Sequence, residues 1–192
     1  MYLIDTVLEW ARVESGRCEL AIEQLDLPAM VGGVAVELET HARQKQISIE
    51  LHTSSPNLPL ASGDRRLVHL VIVNLLMRAV QVTQQGRVQV RVGCSVPAGH
   101  FISVKDGSPP IADEQRQGIF DPLRPSKGLD EFSGSGSGLG LHVVRDIARA
   151  FDGEVSLLPA NGVGNTFVLA LPAVPPERTT ARMPQLPLPA RV

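Results

Sequence analysis

The stretch from Asp64 to Thr83 constrains this chain more than any other. Val68, Val71, Ile72, Leu75, Leu76 and Ala79 recur at three- and four-residue spacing, which predicts a helix with one continuous apolar stripe. Most of the stability of such a helix comes from whatever covers the stripe, so a second layer must lie against it. The residues just downstream supply one. Val88, Val90 and Val92 alternate with polar residues across 87–94, Pro97-Ala98-Gly99 makes a turn, and 100–105 reads as a second strand. An antiparallel hairpin is therefore expected directly after the helix.

The remaining segments extend the same two layers. Leu3, Ile4, Val7, Leu8 and Ala11 predict a helix over 2–15 that stops at Gly16; it is short enough to need a partner helix. Residues 19–27 alternate like a strand, with a slip after Ile22, and a helix is expected from about Pro28 to about Gln44. Ile47, Ile49 and Leu51 mark a half-buried strand over 46–52, and 54–59 is loop. A short helix is expected near 112–119, a firm one from about Leu139 to Ala150, and closing strands over 154–158 and 165–171. Strands and helices mix without regular βαβ alternation. That favours an α+β two-layer sandwich, with a mixed sheet carrying helices on one face, over a doubly wound sheet. Six of the fifteen prolines fall between Pro172 and Pro189, so 173–192 reads as a linker or tail and the folded domain as 18–172.

Composition excludes several function classes. A net charge of −2 gives no basic stripe for nucleic acid and no attraction to an anionic membrane. No apolar run approaches the roughly 18–20 residues of a membrane span, and no signal peptide opens the chain. Cys18 and Cys94 are too few for a disulfide framework or a four-thiolate metal site, which fits a reducing, cytoplasmic compartment.

One loop points to chemistry. Gly136-Ser137-Gly138-Leu139-Gly140-Leu141 runs straight into a helix. Glycines let backbone approach a bound group closely, and the free N–H groups at the helix start suit a phosphate. No Lys-Ser/Thr pair follows, so this is not a Walker A loop; a flexible glycine linker stays open as the alternative.

Taken with its neighbours, this loop resembles part of the catalytic and ATP-binding region of bacterial sensor histidine kinases, within the GHKL ATPase superfamily. Residues 8–16, Leu-Glu-Trp-Ala-Arg-Val-Glu-Ser-Gly, are similar to the end of the second helix of the dimerisation and phosphotransfer hairpin. Asn74-Leu75-Leu76-Met77-Arg78-Ala79-Val80 stands where the family has its N box, and Asp106-Gly107-Ser108-Pro109-Pro110 where it has G1. Ile119-Phe120-Asp121-Pro122 resembles the F box, 136–141 the G2 box, and Gly162-Val163-Gly164-Asn165-Thr166-Phe167 the last glycine turn and strand. The order and spacing hold over about residues 3–172.

The resemblance implies a Bergerat-type sandwich that holds ATP or ADP between the N-box helix, the G1 loop and a lid over 121–135. Asp106 matches the carboxylate that accepts the adenine amino group; taken alone it is an Asp-Gly turn after a strand. Gly136, Gly138 and Gly140 match the phosphate-contacting glycines. Asn74, Arg78, Ser108, Phe120, Leu139, Leu141 and Thr166 complete the implied nucleotide site. The implied partners are the rest of the dimerisation hairpin whose last helix ends in residues 1–17, a second copy in a homodimer, and a receiver domain or response regulator.

Two boxes depart from the family pattern. The asparagine that helps hold Mg²⁺ falls at Arg78, and the usual basic residue three positions on is Gln81, while the upstream Asn74 is kept. At 100° per residue, Asn74, Arg78 and Gln81 lie within roughly 60° of one another, away from the apolar stripe. A guanidinium repels a cation but can grip phosphate bidentately, so Arg78 reads either as a phosphate ligand or as a solvated helix-face arginine. Asn74 alone is left as a metal ligand. In G1, Ser108 and Pro110 stand where the family has glycines, and Pro110 fixes φ and lacks an N–H. The superfamily's hydrolytic members place a Glu where this chain has Asn74, so no independent ATPase activity is expected. Of His41, His52, His69, His100 and His142, none matches the phospho-acceptor, so no catalytic residue is assigned within the chain. Two readings stay open: a weakened phosphoryl donor cut from a kinase, and a pseudokinase-like module acting by dimerisation, docking or allostery.

Overall fold

The computed structural model describes residues 11–12, 15, 19–95, 99–116, 118–121, 141–159 and 162–172. Most of the expected helix over 2–15, most of the lid, the G2 glycines and the tail over 173–192 lie outside the described residues; Ala11 and Arg12 are helical.

Among the described residues, seven strands and four further helices follow in the order β1 Ile22–Leu25, α1 Leu27–Gln44, β2 Ile47–Thr53, β3 Ala61–Asp64, α2 Arg65–Val82, β4 Gly86–Ser95, β5 Gly99–Lys105, α3 Asp113–Arg116, α4 Leu141–Arg149, β6 Glu154–Leu157 and β7 Thr166–Leu171. Five strands form one sheet in the order β2-β4-β5-β7-β6. β2 and β4 run parallel, with Ile47 opposite Gly86, and the other three pairings are antiparallel. The expected hairpin is β4–β5, with Val92 opposite Ile102. This is the mixed-sheet α+β sandwich that the element order predicts.

One face of the sheet makes the core. Val88, Val90 and Val92 of β4, Ile102 and Val104 of β5, and Phe167, Leu169 and Leu171 of β7 are all buried, at every second position along their strands. Against them lie Val31, Val34 and Leu38 of α1, the whole apolar stripe of α2, and Val143, Val144 and Ile147 of α4. α2 is the central helix, packed between α1 and α4. Eleven of its residues are buried, from Leu67 to Val82, so it is apolar over far more than one stripe.

The two long helices are capped by side chains. Asp26 caps α1 by accepting from Ala29 N at 3.0 Å, with Pro28 in the first turn. Asp64 caps α2: Oδ1 accepts from Arg66 N at 3.0 Å and Leu67 N at 3.3 Å, while Oδ2 accepts from Ala21 N at 2.9 Å. At the far end of α2, Lys45 Nζ donates to the carbonyls of Val80 at 2.9 Å and Gln81 at 2.5 Å, which have no partner further along the helix. Partial burial lowers the Lys45 pKa from the ordinary lysine range.

The short strand β3 is absent from the sequence reading. It pairs antiparallel with β1, Leu25 opposite Ala61, in a separate two-stranded sheet at the start of α2. Ala-Ser-Gly-Asp carries no apolar alternation, so no periodicity announces it. No described helix is long and apolar enough to cross a membrane.

Candidate functional site

The helix α2 has one face that the core does not cover. Asn74, Met77, Arg78 and Gln81 are half-buried while their neighbours are buried, so the polar residues share a face as their spacing requires. Asn74 Nδ2 donates to Leu70 O at 2.7 Å, which engages the amide nitrogen and not the amide oxygen.

Opposite that face, β5 ends and delivers Asp106. Its backbone N donates to Asn165 O at 3.0 Å, which ties the strand end to the turn before β7. The carboxylate is 1% exposed and engaged on both oxygens. Oδ1 accepts from Ser108 N at 3.0 Å, Ser108 Oγ at 2.7 Å, Asn165 N at 3.0 Å and, more weakly, Asn165 Nδ2 at 3.4 Å. Oδ2 accepts from Arg78 Nη1 at 3.0 Å.

Arg78 is thus not a solvated helix-face arginine. Its side chain is 17% exposed, and Cζ lies 4.5 Å from the centroid of the Phe167 ring, a cation–π arrangement. Nη2 is buried and has no hydrogen-bond partner among the described residues. Burial lowers the Arg78 pKa from the ordinary arginine range, and the charge and hydrogen bond of Asp106 act against that shift. An ion pair this enclosed contributes little net stability, because desolvation offsets the attraction, yet removing one partner strands the other.

Asn165 holds the loop after Asp106 in shape. Its Nδ2 donates to Ser108 Oγ at 2.9 Å and Pro109 O at 3.0 Å, and its Oδ1 accepts from Ile111 N at 2.8 Å. The family resemblance implies Thr166 as a site residue. Thr166 is half-buried at the start of β7 opposite Lys105, and side chains alternate across a strand. With Phe167 and Leu169 facing the core, Asn165 falls on the core side and Thr166 on the other; that alternation is the signal that could have found Asn165.

Two further groups of contacts adjoin these residues. Thr83, buried just past the end of α2, donates from Oγ1 to Ala79 O at 2.6 Å and accepts there from Gly107 N at 2.9 Å. Phe120 meets Phe167 edge-on, with centroids 6.4 Å apart and planes at 80°. Arg145 of α4 holds Phe120 from behind: Cζ lies 5.0 Å from the ring centroid and Nη2 donates to Phe120 O at 3.2 Å.

The structure therefore brings Arg78, Asp106 and Ser108 into contact, with Phe120 joined through Phe167 and Asn74 one turn away on α2. Leu141 is half-buried as the first residue of α4. Gly136, Gly138, Leu139 and Gly140 lie outside the described residues. The histidines are spread over α1 (His41), β2 (His52), α2 (His69), β5 (His100) and α4 (His142).

This arrangement has relatives. The family described as histidine kinase-, DNA gyrase B-, and HSP90-like ATPase matches residues 63–175, from β3 through β7. The chain belongs to that family. Among curated relatives, the sensor histidine kinase TmoS of Ectopseudomonas mendocina is 27% identical over 175 residues, which is 91% of this chain and 18% of the relative. The chain thus spans about a fifth of that protein's length. Among solved structures, full-length ShkA in complex with AMPPNP superposes with a TM-score of 0.75 at 28% identity, over 88% of this chain and 35% of that one. The histidine kinase ThkA in complex with the response regulator TrrA shares the fold at a TM-score of 0.70 and 21% identity, over 90% of this chain and 47% of that one.

The residues of this kinase-like domain fit a nucleotide better than a magnesium ion. Asp106 provides a buried acceptor beside an aromatic ring, which suits a base with an exocyclic amino group. Magnesium at a nucleotide is held by one or two hard oxygen ligands of the protein together with phosphate oxygens and water, and the face of α2 that carries Asn74 also carries the Arg78 guanidinium, which repels a cation. The Arg78 charge stands where a second ligand would complement Asn74.

Proposed function

We propose that this chain is the nucleotide-binding, phosphoryl-donor domain of a two-component sensor histidine kinase, weakened by changes at Arg78, Ser108 and Pro110. The observation that carries the reading is Asp106, seated between α2 and β7 on the core side of the sheet with its carboxylate aimed at the polar face of α2. ATP or ADP is the proposed ligand, and the γ-phosphoryl group of ATP is what such a domain supplies to a histidine. That histidine is proposed to lie in the helical hairpin whose end is residues 1–17, in a cytoplasmic homodimer, with a response regulator or receiver domain as the next acceptor.

Calorimetric titration of ATP tests the reading and its metal content together. Binding is expected with and without Mg²⁺, with affinities within about threefold of each other, because Arg78 opposes a cation beside Asn74. Binding strictly dependent on Mg²⁺ would overturn the metal-poor site.

The Arg78–Asp106 pair also favours a second reading, a pseudokinase-like module that performs no transfer. Restoring Arg78→Asn and Pro110→Gly in a protein that carries the acceptor hairpin separates the two. Recovery of histidine phosphorylation is expected for a weakened kinase site, and no recovery is the result that supports an architectural module.

A further inference from the structure

We propose that Arg78 exchanges partners when a nucleotide enters, leaving the carboxylate of Asp106 for the nucleotide's phosphates, and thereby makes the pocket select phosphorylated nucleosides over bare ones. The proposal rests on the reading of Asp106 as the acceptor for the base.

The competition is visible in the hydrogen bonds. Oδ1 of Asp106 already accepts from Ser108 and Asn165, so Oδ2 is the atom left for a base amino group. Arg78 Nη1 sits 3.0 Å from that oxygen, at the distance a base N–H donor would take. The same guanidinium covers a face of Phe167, withdrawing an aromatic surface beside the carboxylate. Oδ2 retains a second lone pair, but the carboxylate is 1% exposed and Arg78 lies against both it and the ring, so an entering base displaces the guanidinium to use either.

The hold on Arg78 is incomplete. Nη2 is buried without a hydrogen-bond partner among the described residues, and burial opposes the guanidinium charge. Displacement is favourable only if the released cation gains something better. A bare nucleoside offers the base amino group to Asp106 and nothing anionic to Arg78. A nucleotide offers both, since phosphate oxygens match the guanidinium fork. Asn74, one turn earlier on the same face of α2, marks the side toward which the released side chain can turn.

Adenosine and ADP titrated against the 192-residue chain without divalent cation provide the test, using the wild type, Arg78→Ala and Arg78→Gln, the last retaining side-chain length without charge. Circular dichroism confirms that each variant is folded. In both Arg78 variants adenosine is expected to bind more tightly than in the wild type, and the preference for ADP over adenosine to fall at least about tenfold. Asp106→Asn is expected to weaken both ligands by a similar factor. An unchanged ADP-to-adenosine preference in both Arg78 variants, with Asp106→Asn still weakening both ligands, would overturn the exchange and leave the nucleotide pocket standing. Failure of both ligands to bind every version would overturn the pocket and the exchange together.

Discussion

Replacing Asp106 with alanine is expected to destabilise the domain by about 3–5 kcal/mol, more than any other single side-chain truncation in the site. The cost has two parts. Four donors from Ser108 and Asn165 lose the acceptor Oδ1, and all four belong to buried residues. Arg78, enclosed between α2 and Phe167, keeps its charge and loses its counterion. Adding Arg78→Met to Asp106→Ala removes the stranded cation, so the double variant is expected to recover about 1–2 kcal/mol. Urea unfolding of the wild type, both single variants and the double variant checks the cycle. Additive single effects would show that the pair is not coupled.

Gly164→Ala is expected to be nearly as severe, at about 3 kcal/mol, and to displace Asp106 as well. Gly164 has φ +91°, a backbone region that costs an L-residue about 1–2 kcal/mol. A Cβ there would stand 2.1 Å from the carbonyl oxygen of Asp106, backbone that cannot swing aside as a side-chain tip can. The turn must shift, and it carries Asn165 with it. Gly162 supplies the contrast: its φ is +80°, but among the described residues a Cβ meets nothing within 4 Å. Gly162→Ala is accordingly expected to cost about 1 kcal/mol and to leave nucleotide titrations unchanged. Thermal unfolding separates the two, since 1 kcal/mol moves the Tm of a domain this size by roughly 2–4 °C. Equal shifts for both variants would mean that the approach to Asp106 is not tight.

The sequence made the sheet and its central helix legible because both depend on period. The α2 stripe and the β4–β5 hairpin repeat at 3.6 and 2 residues, and burial follows those periods. β3 has no period to read; its four residues are a strand only because β1 offers a register for them. In the site, the order of motifs singles out Asp106 as a candidate. The state of Arg78 was not legible there. Its partner lies 28 residues away on another element, and nothing in the helix pattern tells a guanidinium facing solvent from one folded back onto a carboxylate. Asn165 was overlooked for a narrower reason: a motif suggested its neighbour, while the alternation of Phe167 and Leu169 already assigned the inward position to residue 165.

The double use of Asp64 has a mechanical consequence. One buried carboxylate caps the start of α2 and also holds Ala21 N, where the chain enters the domain. Entry point and helix start are therefore hinged on one pin. A pull on the chain ahead of Ala21 is passed directly to the cap of α2 through Asp64, and the same rigid helix carries Arg78 about four turns further on.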